Sequence, residues 1–167
     1  METRAKVKMS YYEPHDFHVL RKAKKVRKVV GVLLAVLDRM PEPRYLVIGP
    51  VTSGRKTEEE NRKRLHDGIL YYKRQGIATL NYLPALKRAM EILTRESGML
   101  PLSRGEEYKL QERLRAEFYE PIFRSGKIGA LCIMSGSEKS LNVRWMFRFA
   151  REHGIVRRRL KEKLPAR

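Results

Sequence analysis

Residues 128–140 read IGALCIMSGSEKS, and this stretch decides the fold class. The run at 128–134 is the most apolar of the chain, which is typical of a strand buried on both faces of a parallel sheet. The turn SGS at 135–137 follows, and then a predicted helix over about 140–153 that is closed by a glycine. A buried strand that turns directly into a helix predicts an α/β domain.

The same alternation extends upstream of this stretch. Residues 45–48 (YLVI) predict a strand, and the next helix opens with a capping box of Thr57 and Glu60. Residues 77–83 alternate loosely and predict a second strand. The remaining elements are a helix over 84–96, a longer helix opened by a second capping box of Ser103 and Glu106, and a last short strand at 155–156. This order predicts a mostly parallel sheet.

Residues 16–39 predict a separate amphipathic helix that ends before a Pro-Glu-Pro break. Its apolar residues recur by alternating fours and threes, which is the period of helix-on-helix packing: Val19, Ala23, Val26, Val30, Leu33 and Leu37. The sequence leaves two alternatives for the partner of this apolar seam. Either the helix docks on the chain's own domain, or it pairs with a second copy of the chain, as in a homo-oligomer or an assembly module.

The chain is strongly basic, with 37 Lys and Arg against 19 Asp and Glu and a net charge of +18 over 167 residues. The ends are the most basic: 10 − 5 = +5 for residues 1–43 and 9 − 2 = +7 for residues 144–167. Two clusters stand out, Arg21, Lys22, Lys24, Lys25, Arg27, Lys28 and Arg157, Arg158, Arg159, Lys161, Lys163. They indicate either an RNA or DNA partner or a solvated surface. On the first interpretation the contacts come from Arg21, Lys25, Lys28, Arg157, Arg158, Arg159 and Lys161.

Composition excludes several other classes of protein. No apolar stretch reaches the roughly 20 residues of a membrane span, and the charged amino terminus does not resemble a secretory signal. We therefore expect an intracellular, cytoplasmic protein without a membrane partner. The single cysteine, Cys132, excludes a disulfide framework, and no cofactor or metal site is expected. The division we expect is a basic arm and amphipathic helix (1–43), an α/β domain (44–156) and a basic tail (157–167).

Two strand-to-helix loops carry small and hydroxyl residues suited to an anion. The first reads GPVTSG at 49–54 and the second SGSEKS at 135–140. Ligands of open α/β sheets lie beyond the carboxyl ends of the strands, so both loops are candidate ligand sites. Arg144, shortly after the second loop, could pair with a phosphate. The candidate ligand-binding residues are Gly49, Pro50, Thr52, Ser53, Gly54, Gly136, Ser137, Glu138, Ser140 and Arg144.

The run YLVIGP at 45–50 resembles the first strand and loop of nucleoside 2-deoxyribosyltransferase-like proteins, and in particular a small uncharacterised branch of that superfamily. The second loop continues the resemblance with Gly136, Glu138, Ser140 and Arg144 at the spacing of that branch. The likeness covers about residues 45–156 and leaves both basic ends outside. It implies a Rossmann-like, three-layer domain whose pocket holds a nucleoside or nucleotide.

Catalytic members of that superfamily use a glutamate in the last helix to hydrolyse or exchange an N-glycosidic bond. The corresponding position here is Met146, which cannot supply a carboxylate. Gly129 and Ser137 also replace the expected aspartate and tryptophan. Glu138 is the one weak candidate for a substitute, so whether the chain is an enzyme stays open.

Three hypotheses follow from the sequence. The first is a nucleoside- or nucleotide-phosphate-binding protein that lacks the standard nucleophile. The second is a nucleic-acid-binding protein whose basic ends flank an α/β scaffold. The third is an assembly module that docks through the 16–39 helix.

Overall fold

A computed structural model describes residues 10–51, 57–98 and 103–160 and shows a mixed α/β protein. Three parallel strands form a small sheet in the order β1 (Tyr45–Ile48), β2 (Ala130–Met134) and β3 (Val156–Leu160). Every residue of β1 and β2 is buried, whereas four of the five residues of β3 are exposed. The α/β class and the parallel sheet expected from the sequence are confirmed.

Helices cover both faces of this sheet. Their bounds are α1 Pro14–Lys22, α2 Val26–Arg39, α3 Glu58–Arg74, α4 Leu83–Ser97, α5 Arg104–Leu114, α6 Glu120–Arg124 and α7 Leu141–Glu152. A π-helical turn at Arg115–Tyr119 joins α5 to α6. On one face, α3 packs on the odd-numbered side chains of β1 and the even-numbered ones of β2. On the opposite face, α2, α4, α5, α6 and α7 share the larger core with Leu46, Ile48, Leu131 and Ile133.

The predicted single helix over 16–39 is wrong in extent, because the chain leaves the helix at Ala23. The Arg88 guanidinium of α4 donates to the Ala23 carbonyl at 3.2 and 2.7 Å, and Ala23 and Lys25 are extended. The first helix also begins earlier than predicted. Glu13 is the N-cap, and Asp16 lies in the first turn and accepts from the Glu13 N–H at 2.7 Å as part of a capping box.

The apolar seam of α2 packs inside the chain. Val26, Val30, Leu33 and Leu37 are at most 4% exposed, and α2 contacts α4, α6 and the π-helical turn between α5 and α6. Two partners were considered for this seam, and the structure shows that it packs on the chain's own core. The assembly hypothesis loses its basis, because the face that would dock a second copy is already covered.

The predicted strands at 77–83 and 155–156 differ in length from the structure. The first is reduced to one parallel bridge between Thr79 and Tyr45, on the edge of β1 opposite β2. There the Tyr45 N–H donates to the Ala78 carbonyl at 2.8 Å, and the Leu80 N–H donates to the Tyr45 carbonyl at 2.9 Å. The second is longer, because β3 continues through Arg157, Arg158 and Arg159 to Leu160.

The caps expected from the sequence are present. The Glu60 N–H donates to Thr57 Oγ1 at 3.2 Å, and the Thr57 N–H donates to the Glu60 carboxylate at 2.7 Å. Ser103 and Glu106 repeat this arrangement at the start of α5. In the described part of the chain, no helix has the length and apolar character needed to cross a bilayer.

Candidate functional site at the start of α7

The two loops identified from the sequence lie at neighbouring strand ends. Gly49 follows β1 and Ser135 follows β2, and these strands are paired in parallel. The chain leaves β1 for α3 on one face of the sheet and leaves β2 for α7 on the other. Helices that depart to opposite faces open a crevice between the strands, which is where ligands of α/β sheets bind.

The first loop is only partly within the described residues. Gly49 and Pro50 are described, whereas Thr52, Ser53 and Gly54 lie outside. A Cβ added to Gly49 would lie 3.1 Å from Met134 Sδ and 3.3 Å from a Leu65 methyl carbon. The glycine therefore allows β1, β2 and α3 to pack closely, which needs no ligand.

The second loop forms a tight turn into α7. Gly136 has a φ of 75°, a backbone region that favours glycine. The Ser137 N–H donates to the Met134 carbonyl at 3.3 Å, and the Ser140 N–H donates to the Ser137 carbonyl at 3.0 Å. Ser140 is the N-cap of α7, with Oγ accepting from the Val143 N–H at 3.5 Å. This turn holds the amino end of α7, with its free N–H groups, at the crevice.

Two buried polar atoms near this turn have no hydrogen-bond partner. Ser137 is 1% exposed, and its Oγ is unpaired. Asn142 Oδ1 is also unpaired, although the Asn142 amide nitrogen donates to Gln111 Oε1. Buried polar atoms without a protein partner are rare and costly, so each is expected to bond with a water molecule or with a bound ligand.

The loops converge on a small interior cavity. Its volume is about 20 Å³, and Gly49, Val51, Ser140, Asn142 and Met146 are among its lining residues. That space holds about one water molecule. The cavity is also lined by Leu86 and Met90 of α4, by Leu114 and by Tyr119.

No carboxylate lines this cavity within the described ranges. Met146, 2% exposed, stands where the family resemblance led us to look for a glutamate, and it packs in the core with other apolar residues. Burial raises the pKa of the nearby Tyr119 well above its ordinary value, an effect that Tyr82 increases and Arg62 opposes. The phenol therefore stays protonated at neutral pH and cannot act as a base.

A larger cavity of about 580 Å³ opens between α5 and the start of α7. Its wall includes Tyr108 and Leu141, which are 53% and 59% exposed, and it also takes in Asn142. Arg104, Arg115 and Lys139 add positive charge, and Glu107 is the one carboxylate among the described residues that line it. Arg115 lies 5.9 Å from the centre of the Tyr108 ring.

Glu138 and Arg144 face a different cavity, of about 390 Å³, between α7 and β3. Glu138 is exposed, and its carboxylate lies 3.8 Å from the Arg159 guanidinium. Glu138 lies in the loop before α7 and Arg144 lies in α7, but the structure separates both from the interior cavity that contains Gly49 and Met146.

The basic residues proposed for nucleic acid occupy two places. Arg157, Arg158 and Arg159 form most of β3, and Lys161 lies outside the described residues. Arg21, Lys25 and Lys28 are exposed around the junction of α1 and α2. That junction packs against α4 through Arg88 and through the pair of Lys25 with Glu96 at 3.5 Å, so it belongs to the helical layer.

Sequence reasoning missed Tyr108, Gln111 and Asn142. Asn142 carries a weak signal, because it is the second residue after a helix cap and follows a glycine turn. Tyr108 and Gln111 have no such signal in the sequence, because only the packing of α5 beside α7 brings them to the site. Among the described residues, no group of His, Cys, Asp or Glu could hold a metal ion.

Comparison of the chain with protein-family models, with curated proteins and with solved structures finds no match in any of the three.

Proposed function

We propose that the protein binds a nucleoside phosphate at the start of α7 and does not cleave its glycosidic bond. The observation that carries this proposal is the unpaired buried Oδ1 of Asn142, a residue that lines an open cavity of about 580 Å³; the unpaired Ser137 Oγ lies in the turn that leads into α7. A volume of this size is typical of small-ligand sites. The small parallel sheet with helices on both faces supports a Rossmann-like, three-layer arrangement, in which such a site is expected.

The phosphate is assigned to the amino end of α7. The free N–H groups of the first turn and the helix dipole favour an anion there. Lys139 and Arg115 line the same cavity and supply full positive charges. Ser137 contributes a hydroxyl that currently has no partner.

The base is assigned to the wall of the cavity formed by α5. The half-exposed Tyr108 ring offers a stacking surface, with the Arg115 guanidinium beside it. Asn142 Oδ1 can accept a hydrogen bond from an exocyclic amino group. This arrangement favours bases with such a group (adenine, cytosine and guanine) over uracil.

Absence of glycosidic cleavage follows from the interior cavity. An oxocarbenium-like sugar needs a carboxylate close to the anomeric carbon. Met146 stands at the position of the superfamily's glutamate and cannot supply that carboxylate, and the interior cavity that it lines holds only about one water. Glu107 lines the 580 Å³ cavity, but it lies on α5 and not on the helix that carries the glutamate in the family resemblance.

Isothermal titration of a panel of AMP, ADP, ATP, CMP, GMP and UMP tests the proposal, with adenosine and inorganic phosphate as partial ligands. We expect saturable binding of the amino-bearing nucleotides, weakened by Tyr108→Ala and by Lys139→Gln. Lys63→Gln, which removes an exposed lysine from α3, is the matched control and should leave binding unchanged. Equal affinity for all six nucleotides and for inorganic phosphate, or no binding, would overturn the proposal.

A separate assay addresses catalysis. Incubation with purine nucleosides and nucleotides should release no free base, as followed by chromatography. Release of base that is abolished by Glu138→Gln would overturn the non-catalytic part of the proposal and assign the chemistry to Glu138.

A further inference from the structure

A basic groove runs between α7 and the edge strand β3. It consists of two cavities, of about 390 and 440 Å³, which share Phe147, Arg151 and Arg159. Among the described residues, six arginines and one carboxylate line it: Arg144, Arg148, Arg151, Arg157, Arg158, Arg159 and Glu138. The Arg158 guanidinium lies 5.4 Å from the centre of the Tyr45 ring, on the α3 side of the sheet. None of the described residues that line the groove also lines the 580 Å³ cavity, so the groove is a distinct site.

Much of this charge is not neutralised within the described residues. Elsewhere, Arg39, Arg62, Arg88, Arg113 and Arg124 each pair with a carboxylate. Among the described arginines of the groove, only Arg159 pairs with a carboxylate. Its guanidinium lies 3.8 Å from the Glu138 carboxylate, which is long for an ion pair. Arg144, Arg148 and Arg151 of α7 form no ion pair with a carboxylate of the described residues, and their spacing puts them on one face of the helix.

The groove also presents flat surfaces. Successive side chains of a strand point to opposite faces of the sheet. Leu160 packs with α3 on one face, so Arg157 and Arg159 lie on the other face, which α7 covers. The Arg157 guanidinium lies 4.4 Å from the centre of the Phe147 ring, and Phe147 is part of both cavities. A guanidinium held against a ring offers a plane on which a nucleobase can stack.

We infer that this groove binds single-stranded nucleic acid. The arginines meet successive phosphates, and the Arg157–Phe147 pair meets the face of a base. The groove is about 16–18 Å long, given five residues of β3 and twelve of α7, which suits a short run of a flexible strand. The bases of a duplex are stacked on each other, and an acidic peptide has no bases. Either ligand would therefore contact only the arginines of the groove and would not stack on the Arg157–Phe147 pair.

Fluorescence anisotropy with a labelled twelve-nucleotide oligo-dT or oligo-U measures the affinity over a range of salt concentrations. We expect binding that weakens with salt. The triple variant Arg144→Gln, Arg148→Gln, Arg151→Gln should reduce the log–log salt slope by about 2, since each phosphate contact on a single strand contributes about 0.7. These side chains are exposed, so circular dichroism should show an unchanged fold.

The matched control removes the same charge elsewhere, with Arg21→Gln, Lys22→Gln and Lys24→Gln at the exposed α1–α2 junction. It should leave the slope close to that of the wild type. Equal losses in both triple variants would show a non-specific charge effect and overturn the assignment to the groove. Tighter binding of a duplex, or competition by polyglutamate as strong as by unlabelled oligo-dT, would overturn the single-strand assignment. Phe147→Leu should weaken binding without changing the salt slope.

This inference stands apart from the proposed nucleotide site. Tyr108→Ala and Lys139→Gln should leave oligonucleotide binding unchanged, because Tyr108 and Lys139 are not among the residues that line the groove. The two proposals can therefore fail separately.

Discussion

The guanidinium group of Arg88 donates two hydrogen bonds to the carbonyl of Ala23, at 3.2 and 2.7 Å, across 65 residues of sequence. Arg88 also pairs with Glu91 at 2.9 Å, and its side chain is 18% exposed. This contact holds the point at which α1 ends and α2 begins, so the entry of α2 into the core depends on a residue of α4.

Arg88→Met should therefore destabilise the protein by about 2 kcal/mol, because the carbonyl of the buried Ala23 loses a charged donor. Urea unfolding followed by circular dichroism measures the change. The neighbouring exposed residue gives the control, since Lys87→Met should shift the free energy of unfolding by less than about 0.5 kcal/mol. Equal effects of the two substitutions would contradict the role given to Arg88.

Ser137→Ala should leave the stability unchanged or increase it by about 1 kcal/mol. The hydroxyl is buried and unpaired, so its removal eliminates a desolvation cost without breaking a bond. The same variant should weaken nucleotide binding. Thermal unfolding with and without AMP separates the two effects, and a clear loss of stability in the absence of ligand would show that Ser137 serves the fold.

Met146→Glu should destabilise the protein increasingly as the pH rises. Burial raises the pKa of a carboxyl group, so the folded state favours the neutral acid, and the penalty grows above the unfolded pKa of about 4.3. Met146→Gln should be destabilised almost equally at pH 4 and pH 8, and Met146→Leu by less than about 1.5 kcal/mol. Urea unfolding at both pH values provides the comparison. A pH-independent penalty for the glutamate variant would show that the cavity admits more water than the structure indicates.

Tyr82 and Tyr119 should resist ionisation until the protein unfolds. Burial raises the pKa of both phenols above the ordinary value of 10, so stability is unaffected below pH 10 and falls as the pH rises further, where only the unfolded chain ionises freely. Absorbance at 295 nm during an alkaline titration follows phenolate formation. Tyr119→Phe should remove one late-titrating group, and an unchanged late phase would contradict the burial of Tyr119.

The sequence was sufficient to predict the elements that depend on local pattern. The buried strands at 45–48 and 130–134 and the caps at Thr57 and Ser103 all follow from apolar runs or from short-range hydrogen bonds. The break near Ala23 could not be predicted, because a distant arginine stabilises it. β3 was largely missed because three successive arginines lack an apolar pattern, and their strand conformation comes from pairing with β2.

The position of two predicted loops follows from the sequence, whereas the packing around them does not. The convergence of the loops near 49 and 140 follows from the rule for parallel strands, and the structure places Gly49 and Ser140 in one cavity. How that cavity is filled depends on Leu86 and Met90, whose position follows from the packing of α4. Such long-range packing has no local signature in the sequence.

The arginines of β3 have one more consequence. An exposed edge strand with free backbone groups is a template for pairing with the same strand of another molecule, which leads to aggregation. In β3, four exposed residues, of which three are arginines, would bring like charges together in any such pairing. Thus the charge that we assign to nucleic-acid binding also protects β3, the last strand of the sheet in the described part of the chain.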